Sequence, residues 1–223
     1  EICYGRKGEV EVILGGIGRK AEPKADIDSS SQRFPLLFRN SRVARKSQGT
    51  VEIIKTLDPS VDLYLQDHKL DGKPIFPAAM AMELIAEVAS LACAGFVVAE
   101  IRNFRVLQGI AVQNATRAVR VVAKQKDEPS EMQPVDVSIS STDNPERVHY
   151  SATVEMARTL PAATALHCQS EKDLRPFPMT VRESYRNWLF HGPLLQGIRE
   201  IQGVCDDGIK ARLIPSSPRT CIA

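Results

Sequence analysis

The chain has 223 residues, of which 43% are hydrophobic, enough to bury the core of one large domain. Its 29 lysine and arginine residues exceed the 27 aspartate and glutamate residues by only two, and the one dense basic stretch is 39–46. This composition is typical of a globular protein and argues against a nucleic-acid-binding surface, which gathers basic and aromatic residues on one face.

Neither a membrane segment nor a secretion signal is indicated. Apolar runs such as 78–82 and 92–99 are far shorter than a membrane span, and the N-terminus lacks a basic region followed by an apolar one. We therefore expect a cytoplasmic protein. The five cysteines are odd in number and too widely spaced for a metal site or a redox pair, which favours reduced, structural thiols.

The N-terminal stretch predicts one strand and then a linker. Residues 9–14 alternate and then run apolar before two glycines, a pattern typical of a strand with a turn after it. Residues 20–33 are polar and contain Pro23 and consecutive serines, so we place a linker there and assign residues 1–19 to another unit. Because neither end resembles a natural terminus, we expect a piece of a longer protein.

Strands and one buried helix are predicted after this linker. Residues 34–38 suit at best a short edge strand, because Pro35 cannot donate to a ladder, and residues 50–57 suit a fuller strand. Pro77 opens a helical pattern that lasts to about residue 94, since proline suits the first helical position. The helix is apolar around most of its circumference, so other elements must enclose it. Its narrow polar stripe consists of Glu83, Glu87 and Ser90.

The segments that follow can enclose the helix. Four strand-like stretches come in succession, at about residues 97–108, 117–125, 135–141 and 148–157. One buried helix followed by an antiparallel meander predicts an α+β fold in which a curved sheet wraps around the helix, the hot-dog layout. We assign this domain to residues 34–159.

A second unit is predicted to begin after another linker at residues 160–180. Residues 181–190 are helix-like, and a His-Gly-Pro sequence at 191–193 ends the helical pattern. Residues 198–204 and 208–214 then suggest a hairpin. We interpret residues 181–223 as the start of a further domain.

His68 is the sharpest candidate for chemistry. It lies in a turn-rich stretch, with Gly72 four residues later and Pro77 nine residues later, directly before the buried helix. An imidazole near a helix N-terminus pairs a base with backbone N–H groups that can hold a carbonyl oxygen, which suits proton abstraction next to a thioester carbonyl. From the residues alone, a solvated histidine in a polar turn is the favoured interpretation, with Gly72 a turn glycine and Pro77 a helix start.

The stretch from His68 to Pro77 resembles a known family signature. Its order, His68-Lys-Leu-Asp-Gly72-Lys-Pro-Ile-Phe76-Pro77, is similar to the His-x-x-x-Gly-x-x-x-x-Pro motif of polyketide- and fatty-acid-synthase dehydratases. The resemblance covers residues 34–223 and implies a double hot-dog, with His68 as the catalytic base at the head of the first helix. The backbone near Gly72 would bind the thioester oxygen, and Phe76 and Pro77 would line the substrate site.

A later stretch resembles the second motif of the same family, written Tyr-Gly-Pro-x-Phe-Gln-Gly. Gly192, Pro193 and Gln196 match it and are implied substrate contacts, whereas His191 and Leu195 replace the tyrosine and phenylalanine. These two departures concern the shape of the substrate channel.

The resemblance implies dehydration of a 3-hydroxyacyl thioester to the enoyl thioester. The substrate would hang on the phosphopantetheine of an acyl carrier protein, so we expect no cofactor or metal of the domain's own. Acyl carrier protein and neighbouring synthase domains are the implied partners, with no nucleic acid and no membrane, and a homodimer stays open. Residues 1–19 are weakly similar to the tail of a preceding ketoreductase domain.

The second catalytic group is implied to be an aspartate beyond residue 223. Asp206 and Asp207 match no family pattern, so the role is not assigned to them. Glu83 stands where single hot-dog dehydratases place their acid, but a satisfied polar position on a buried helix is the commoner explanation.

Two other functions stay open at this stage. One is a product-template domain that steers aldol cyclisation, which shares a related histidine motif. The other is a non-catalytic docking or dimerisation module that retains the histidine as structure.

Overall fold

The computed structural model describes residues 36–38, 41–47, 49–113, 115–127, 131–160, 162, 174–206, 208–214 and 216–223. The predicted strand at 9–14, the linker at 20–33 and most of the linker at 160–180 lie outside these residues. The chain divides into two compact units, one of residues 32–162 with 219–223, the other of residues 1–31 with 163–218. The predicted boundaries between domains stay predictions.

The larger unit contains a six-stranded antiparallel sheet. Its strands lie in the order β1-β2-β6-β7-β8-β5. Their bounds are β1 Arg42–Ser47, β2 Thr50–Leu57, β5 Val97–Val106, β6 Arg117–Gln125, β7 Gln133–Ser141 and β8 Val148–Ala157. The intervening β3 (Lys69–Leu70) and β4 (Lys73–Pro74) form a separate small hairpin.

One long helix, α1, lies against this sheet. It runs from Ala78 to Ala92, and it contacts five of the strands, β2 and β5 to β8. Its buried apolar residues recur at helical spacing and face the alternating apolar residues of the strands, which is how a helix and a sheet share one core. The buried positions of α1 include Ala81, Leu84, Ile85, Val88 and Ala89. The predicted hot-dog arrangement of a sheet around a buried helix is confirmed.

Local features near β1 and at the start of α1 differ from the sequence-based expectations. Residues 36–38 form a bend rather than an edge strand, and β1, which sequence analysis did not predict, takes the edge beside β2. Pro77 is the residue before the helix rather than its first residue, with extended backbone angles. Proline suits both places, because neither needs a backbone N–H donor.

The described part of the smaller unit contains a short helix and a hairpin. Helix α2 spans Val181–Asn187, and strands β9 (Ile198–Cys205) and β10 (Gly208–Leu213) pair antiparallel. A capping box opens α2, because the Thr180 hydroxyl accepts from Glu183 N–H while the Glu183 carboxylate accepts from Thr180 N–H. A last short helix, α3, covers Pro218–Cys221, and all of it except Pro218 belongs to the larger unit.

None of the helices within the described ranges combines the length and the apolar character that a membrane crossing requires.

Candidate active site around His68

The segment that leads to His68 is anchored by a buried ion pair. Lys55, on β2, lies 3.0 Å from a carboxylate oxygen of Asp62, and the second oxygen of Asp62 accepts from Asp58 N–H at 2.9 Å. Asp62 is fully buried, and a buried carboxylate is stable only when its oxygens are paired in this way. The 3-10 turn at Leu63–Gln66 follows directly, so the ion pair fixes the start of the segment that leads to His68.

A small hairpin then returns the chain past His68. Strands β3 and β4 pair, and the N–H of Ile75 donates to the carbonyl of His68 at 2.9 Å. The half-buried imidazole lies beside the returning strand, with its Nδ1 2.7 Å from the carbonyl oxygen of Ile75.

This contact requires a proton on Nδ1 of the ring. A carbonyl oxygen can only accept, so Nδ1 of His68 must carry the proton that it donates to Ile75. In the neutral ring the lone pair is then on Nε2, the nitrogen that is able to act as a base. The local backbone thus selects the tautomer that proton abstraction through Nε2 requires.

The strand that carries the Ile75 carbonyl is held on its other side by residues 107–112. Phe76 N–H donates to the Ile110 carbonyl at 2.9 Å, and Val112 N–H donates to the Pro74 carbonyl at 2.8 Å. The hydroxyl of Tyr150, on β8, donates to the Phe76 carbonyl at 2.9 Å. These bonds place the three peptide units around Ile75 between a core tyrosine and a neighbouring chain segment.

Phe76 and Pro77 occupy buried positions. The Phe76 ring lies against the rings of Tyr64 and Tyr150, with centroids 6.2 and 6.0 Å apart. Pro77 precedes α1, and its carbonyl accepts the first helical bond, from Ala81. No side chain caps this helix start within the described residues, so the first N–H groups of α1 have no side-chain acceptor there. The predicted substrate contacts of Phe76 and Pro77 stay predictions.

Gly72 lies at the exposed tip of the hairpin. Both residues of its two-residue turn have positive φ, 49° at Asp71 and 75° at Gly72. This is the backbone of the tight turns that match the twist of paired strands, and it favours glycine. A side chain at Gly72 would meet no atom within 4 Å, so the backbone angle rather than crowding explains the glycine.

The two glutamates of the polar stripe on α1 differ in role. Glu87 is buried, and its carboxylate accepts from the backbone N–H groups of residues 36, 37 and 38, at distances of 2.5 to 3.2 Å. Glu83 is exposed, and partial burial of its carboxyl together with the charge of Glu87 raises its pKa. Glu87 is therefore a structural anchor for the bend at 36–38, which its place in the stripe did not reveal.

The residues of the second motif lie together in the smaller unit. Gly192 and Pro193 open a 3-10 turn, and the Gln196 amide donates to the His191 carbonyl at 3.0 Å. The Tyr185 hydroxyl accepts from Ile198 N–H at 2.9 Å and so ties α2 to β9. Gln196 lines an open groove of about 500 Å³ whose other walls include Arg182, Arg186 and Arg199.

A buried histidine that sequence analysis did not single out lies on β8. His149 is only 4% exposed, with Nε2 2.8 Å from the Ser141 hydroxyl and Nδ1 3.1 Å from the Gln108 carbonyl. It precedes Tyr150, and adjacent strand residues face opposite sides of a sheet, so strand alternation alone would bury only one of the two. No sequence signal distinguishes it from a surface histidine.

Within the described ranges, no three histidine, cysteine, aspartate or glutamate side chains are grouped as a metal site would require. Asp206 is exposed in the turn between β9 and β10 and pairs with Arg175, while Asp207 lies outside the described residues.

Residues 35–142 match the family model described as the polyketide synthase dehydratase domain. No curated protein matches the chain. The match covers the hairpin with His68, the whole of α1 and the strands up to β7.

Several solved dehydratase domains have a similar fold. The domain from the CurF module of curacin polyketide synthase has a TM-score of 0.57 at 14% identity, over 72% of this chain and 59% of that one. A GphF dehydratase variant made for improved crystallization has a TM-score of 0.53 at 17% identity, over 78% of this chain and 61% of that one. An inactive CurK dehydratase mutant has a TM-score of 0.52 at 13% identity, over 74% and 58%. The chain thus spans about three fifths of the solved domains that it matches.

Proposed function

We propose that the chain, whose residues 35–142 match the family model of the polyketide synthase dehydratase domain, takes part in dehydrating a 3-hydroxyacyl thioester to the enoyl thioester. The observation that carries this proposal is the bond between His68 Nδ1 and the Ile75 carbonyl, which leaves Nε2 as the basic nitrogen.

In the proposed reaction, His68 removes the proton from the carbon next to the thioester carbonyl. The electron pair forms the new double bond while the bond to the 3-hydroxyl breaks, and the departing oxygen takes a proton and leaves as water. A neutral imidazole with its other nitrogen held by a carbonyl suits this step, because the ring is already oriented and its lone pair lies on Nε2. The inactive CurK mutant carries phenylalanine in place of a histidine, which supports a histidine role in that protein.

The thioester oxygen gains negative charge as the proton leaves. We place this oxygen at backbone N–H groups near Gly72 and the start of α1. Within the described residues, the N-cap Pro77 offers no side-chain acceptor that would compete for those N–H groups. Backbone donors at a helix start stabilise such charge without reorganising. The group that protonates the leaving hydroxyl is proposed to be an aspartate in the part of the dehydratase domain that these 223 residues do not span.

The substrate is proposed to be carried on the phosphopantetheine of an acyl carrier protein, with neighbouring synthase domains as partners, in the cytoplasm. Elimination of water from such a substrate needs two proton transfers, one from the carbon next to the carbonyl and one to the departing hydroxyl. The proposed reaction therefore requires no cofactor or metal of the domain's own.

The proposal is tested on the complete dehydratase domain that contains this chain. A 3-hydroxyacyl N-acetylcysteamine thioester or the corresponding carrier-bound thioester is supplied, and enoyl formation is followed. We expect His68→Ala to lower kcat by about 10²-fold or more, the range for loss of a general base.

The matched control is Lys69→Ala, which changes an exposed residue of the same hairpin. It should retain the turnover of the unsubstituted domain. Equal turnover by the unsubstituted domain and the His68→Ala variant would contradict the proposal. An equal loss of turnover in His68→Ala and Lys69→Ala would show that the hairpin structure, rather than the imidazole, is what turnover depends on.

A further inference from the structure

His149 is a buried titratable side chain outside the proposed chemistry. Both of its ring nitrogens have partners, the Ser141 hydroxyl at 2.8 Å and the Gln108 carbonyl at 3.1 Å. Arg117 also donates to this hydroxyl, at 3.3 Å. The Gln108 carbonyl can only accept, so Nδ1 carries a proton, and in the neutral ring the lone pair is on Nε2. Nε2 of His149 therefore accepts from Ser141, and Nδ1–H donates to the Gln108 carbonyl.

The neutral ring is the form that fits this site. Burial lowers the pKa of His149, and the positive charges of Arg147 and Arg117 lower it further, while the bond to Gln108 opposes the change. A neutral imidazole offers one donor and one acceptor, which is what its two partners require.

Gln108 lies near the start of the segment 107–112, which is hydrogen-bonded to residues 74–76 beside His68. The backbone of residues 107 and 108 also donates to the His149 carbonyl. Two residues later, Ile110 accepts from Phe76 N–H, and Val112 donates to the Pro74 carbonyl. Ile75, between those two contacts, bridges to Ala111 and carries the carbonyl that His68 Nδ1 contacts. Three hydrogen bonds, linked by short stretches of backbone at residues 108–110 and 75–76, thus connect the His149 ring to the His68 ring.

We propose that His149 is a positioning residue for His68. Its Nδ1–H bond to the Gln108 carbonyl holds residues 107–112 against residues 74–76, and this keeps the Ile75 carbonyl where it selects the Nδ1–H tautomer of His68. The inference rests on the proposed function for its catalytic meaning, but the tautomer of His68 is measurable without turnover.

Three variants separate the two contacts of the ring. His149→Asn keeps a donor at the δ position and so retains a bond to the Gln108 carbonyl. His149→Gln places its amide at the ε position, so it retains a contact with Ser141 and loses the one with Gln108. Ser141→Ala removes the other partner and leaves the Nδ1–H bond in place.

The first measurement is the tautomer of His68 by nitrogen chemical shifts, in the full chain labelled with ¹⁵N-histidine. We expect the Nδ1–H form in the unsubstituted chain, in His149→Asn and in Ser141→Ala. In His149→Gln we expect both tautomers. The second measurement is amide exchange of Phe76 and Val112, which should become roughly tenfold faster in His149→Gln alone, as the loss of one buried hydrogen bond predicts.

Two outcomes overturn the proposal. One is an unchanged His68 tautomer and unchanged amide exchange in His149→Gln, provided that its α1 amide signals show a folded chain. The other is an equal disturbance in Ser141→Ala or His149→Asn, which would show that any change in this buried cluster has the same effect. If His149→Gln does not fold, the test falls on His149→Asn. This variant must then show the same His68 tautomer and amide exchange as the unsubstituted chain, and a change in either would contradict the positioning role.

Turnover of the complete domain separates this inference from the proposed function. With both correct, His149→Gln lowers kcat while KM is retained, and His149→Asn restores kcat. If His68 is not catalytic but His149 positions it, His149→Gln still changes the His68 tautomer. Turnover is then unchanged in both His68→Ala and His149→Gln. With His149 not positioning, His68→Ala abolishes turnover and the three variants leave the tautomer unchanged.

Discussion

At the scale of single residues, the two glutamates of α1 show that one sequence pattern can serve two roles. Glu87 is buried and accepts from the backbone of residues 36–38, whereas Glu83 is exposed on the same helix. The helical spacing predicted a shared polar stripe, and the stripe exists. Which glutamate becomes an anchor depends on where residues 36–38 cross the helix, and no periodicity encodes that crossing.

We predict that Glu87→Ala destabilises the larger unit by about 2–4 kcal/mol, because backbone donors would lose a buried charged acceptor. The free energy of unfolding in urea, followed by amide signals of α1, measures this. Glu83→Ala is the matched control on the same helix, and it should stay within about 0.5 kcal/mol of the unsubstituted chain. Similar losses in both variants would contradict the anchoring role of Glu87.

At the scale of elements, the β3–β4 hairpin determines where His68 lies. Its turn needs positive φ at Asp71 and Gly72, which aspartate tolerates and glycine favours. The motif contains a glycine at position 72 because the chain must reverse direction within two residues between β3 and β4. Its return strand then brings the Ile75 carbonyl to the imidazole.

Substitutions at Gly72 separate backbone strain from chemistry. Gly72→Ala forces a side chain into left-handed backbone and should destabilise the hairpin by about 1 kcal/mol, whereas Gly72→Asn should be tolerated because asparagine adopts this conformation. Amide exchange of Ile75, which donates to the His68 carbonyl, reports on the hairpin. Turnover of the complete domain should follow the same order. Equal behaviour of Ala and Asn variants would show that the backbone angle is not what Gly72 supplies.

Strands differ in how well the sequence predicts them. β6 and β8 have the predicted bounds, 117–125 and 148–157, because alternating burial against α1 is visible in their residues. β1 was not predicted, since it is an edge strand whose described side chains are exposed. Its hydrogen bonds to β2 make it a strand, and edge strands carry charged residues for reasons unrelated to burial.

At the scale of the whole molecule, the sheet that encloses α1 also buries His149, and this links stability to pH. The pKa of His149 lies below its ordinary value of 6.5, chiefly because burial disfavours the charged ring. As the pH falls below about 6.5, the unfolded chain takes up a proton at His149 that the folded chain does not. The free energy of unfolding must therefore decrease from that pH down to the folded pKa, and His149 contributes no pH dependence above it.

We predict that His149→Asn shows a flatter pH dependence of stability than the unsubstituted chain between pH 7.5 and pH 5, a window set on the order of one pH unit around the histidine pKa. Urea unfolding of the larger unit, followed by amide signals of β6 to β8, measures both curves. Other titrating groups act equally in both chains, so the difference isolates His149. Parallel curves across this window would contradict the pKa direction and the burial that causes it.

The sequence by itself determined the class of fold, the position of α1, the bounds of β2, β6 and β8, and the turn that presents His68. These features follow from local rules, because alternation, helical spacing, proline and glycine act over a few residues. Only the tertiary structure decided that Glu87 holds residues 36–38, that Ile75 sets the tautomer of His68, and that His149 reaches the same strand through residues 107–112. Each of these joins residues distant along the chain through backbone groups, which every sequence carries alike, so only their folded positions distinguish them.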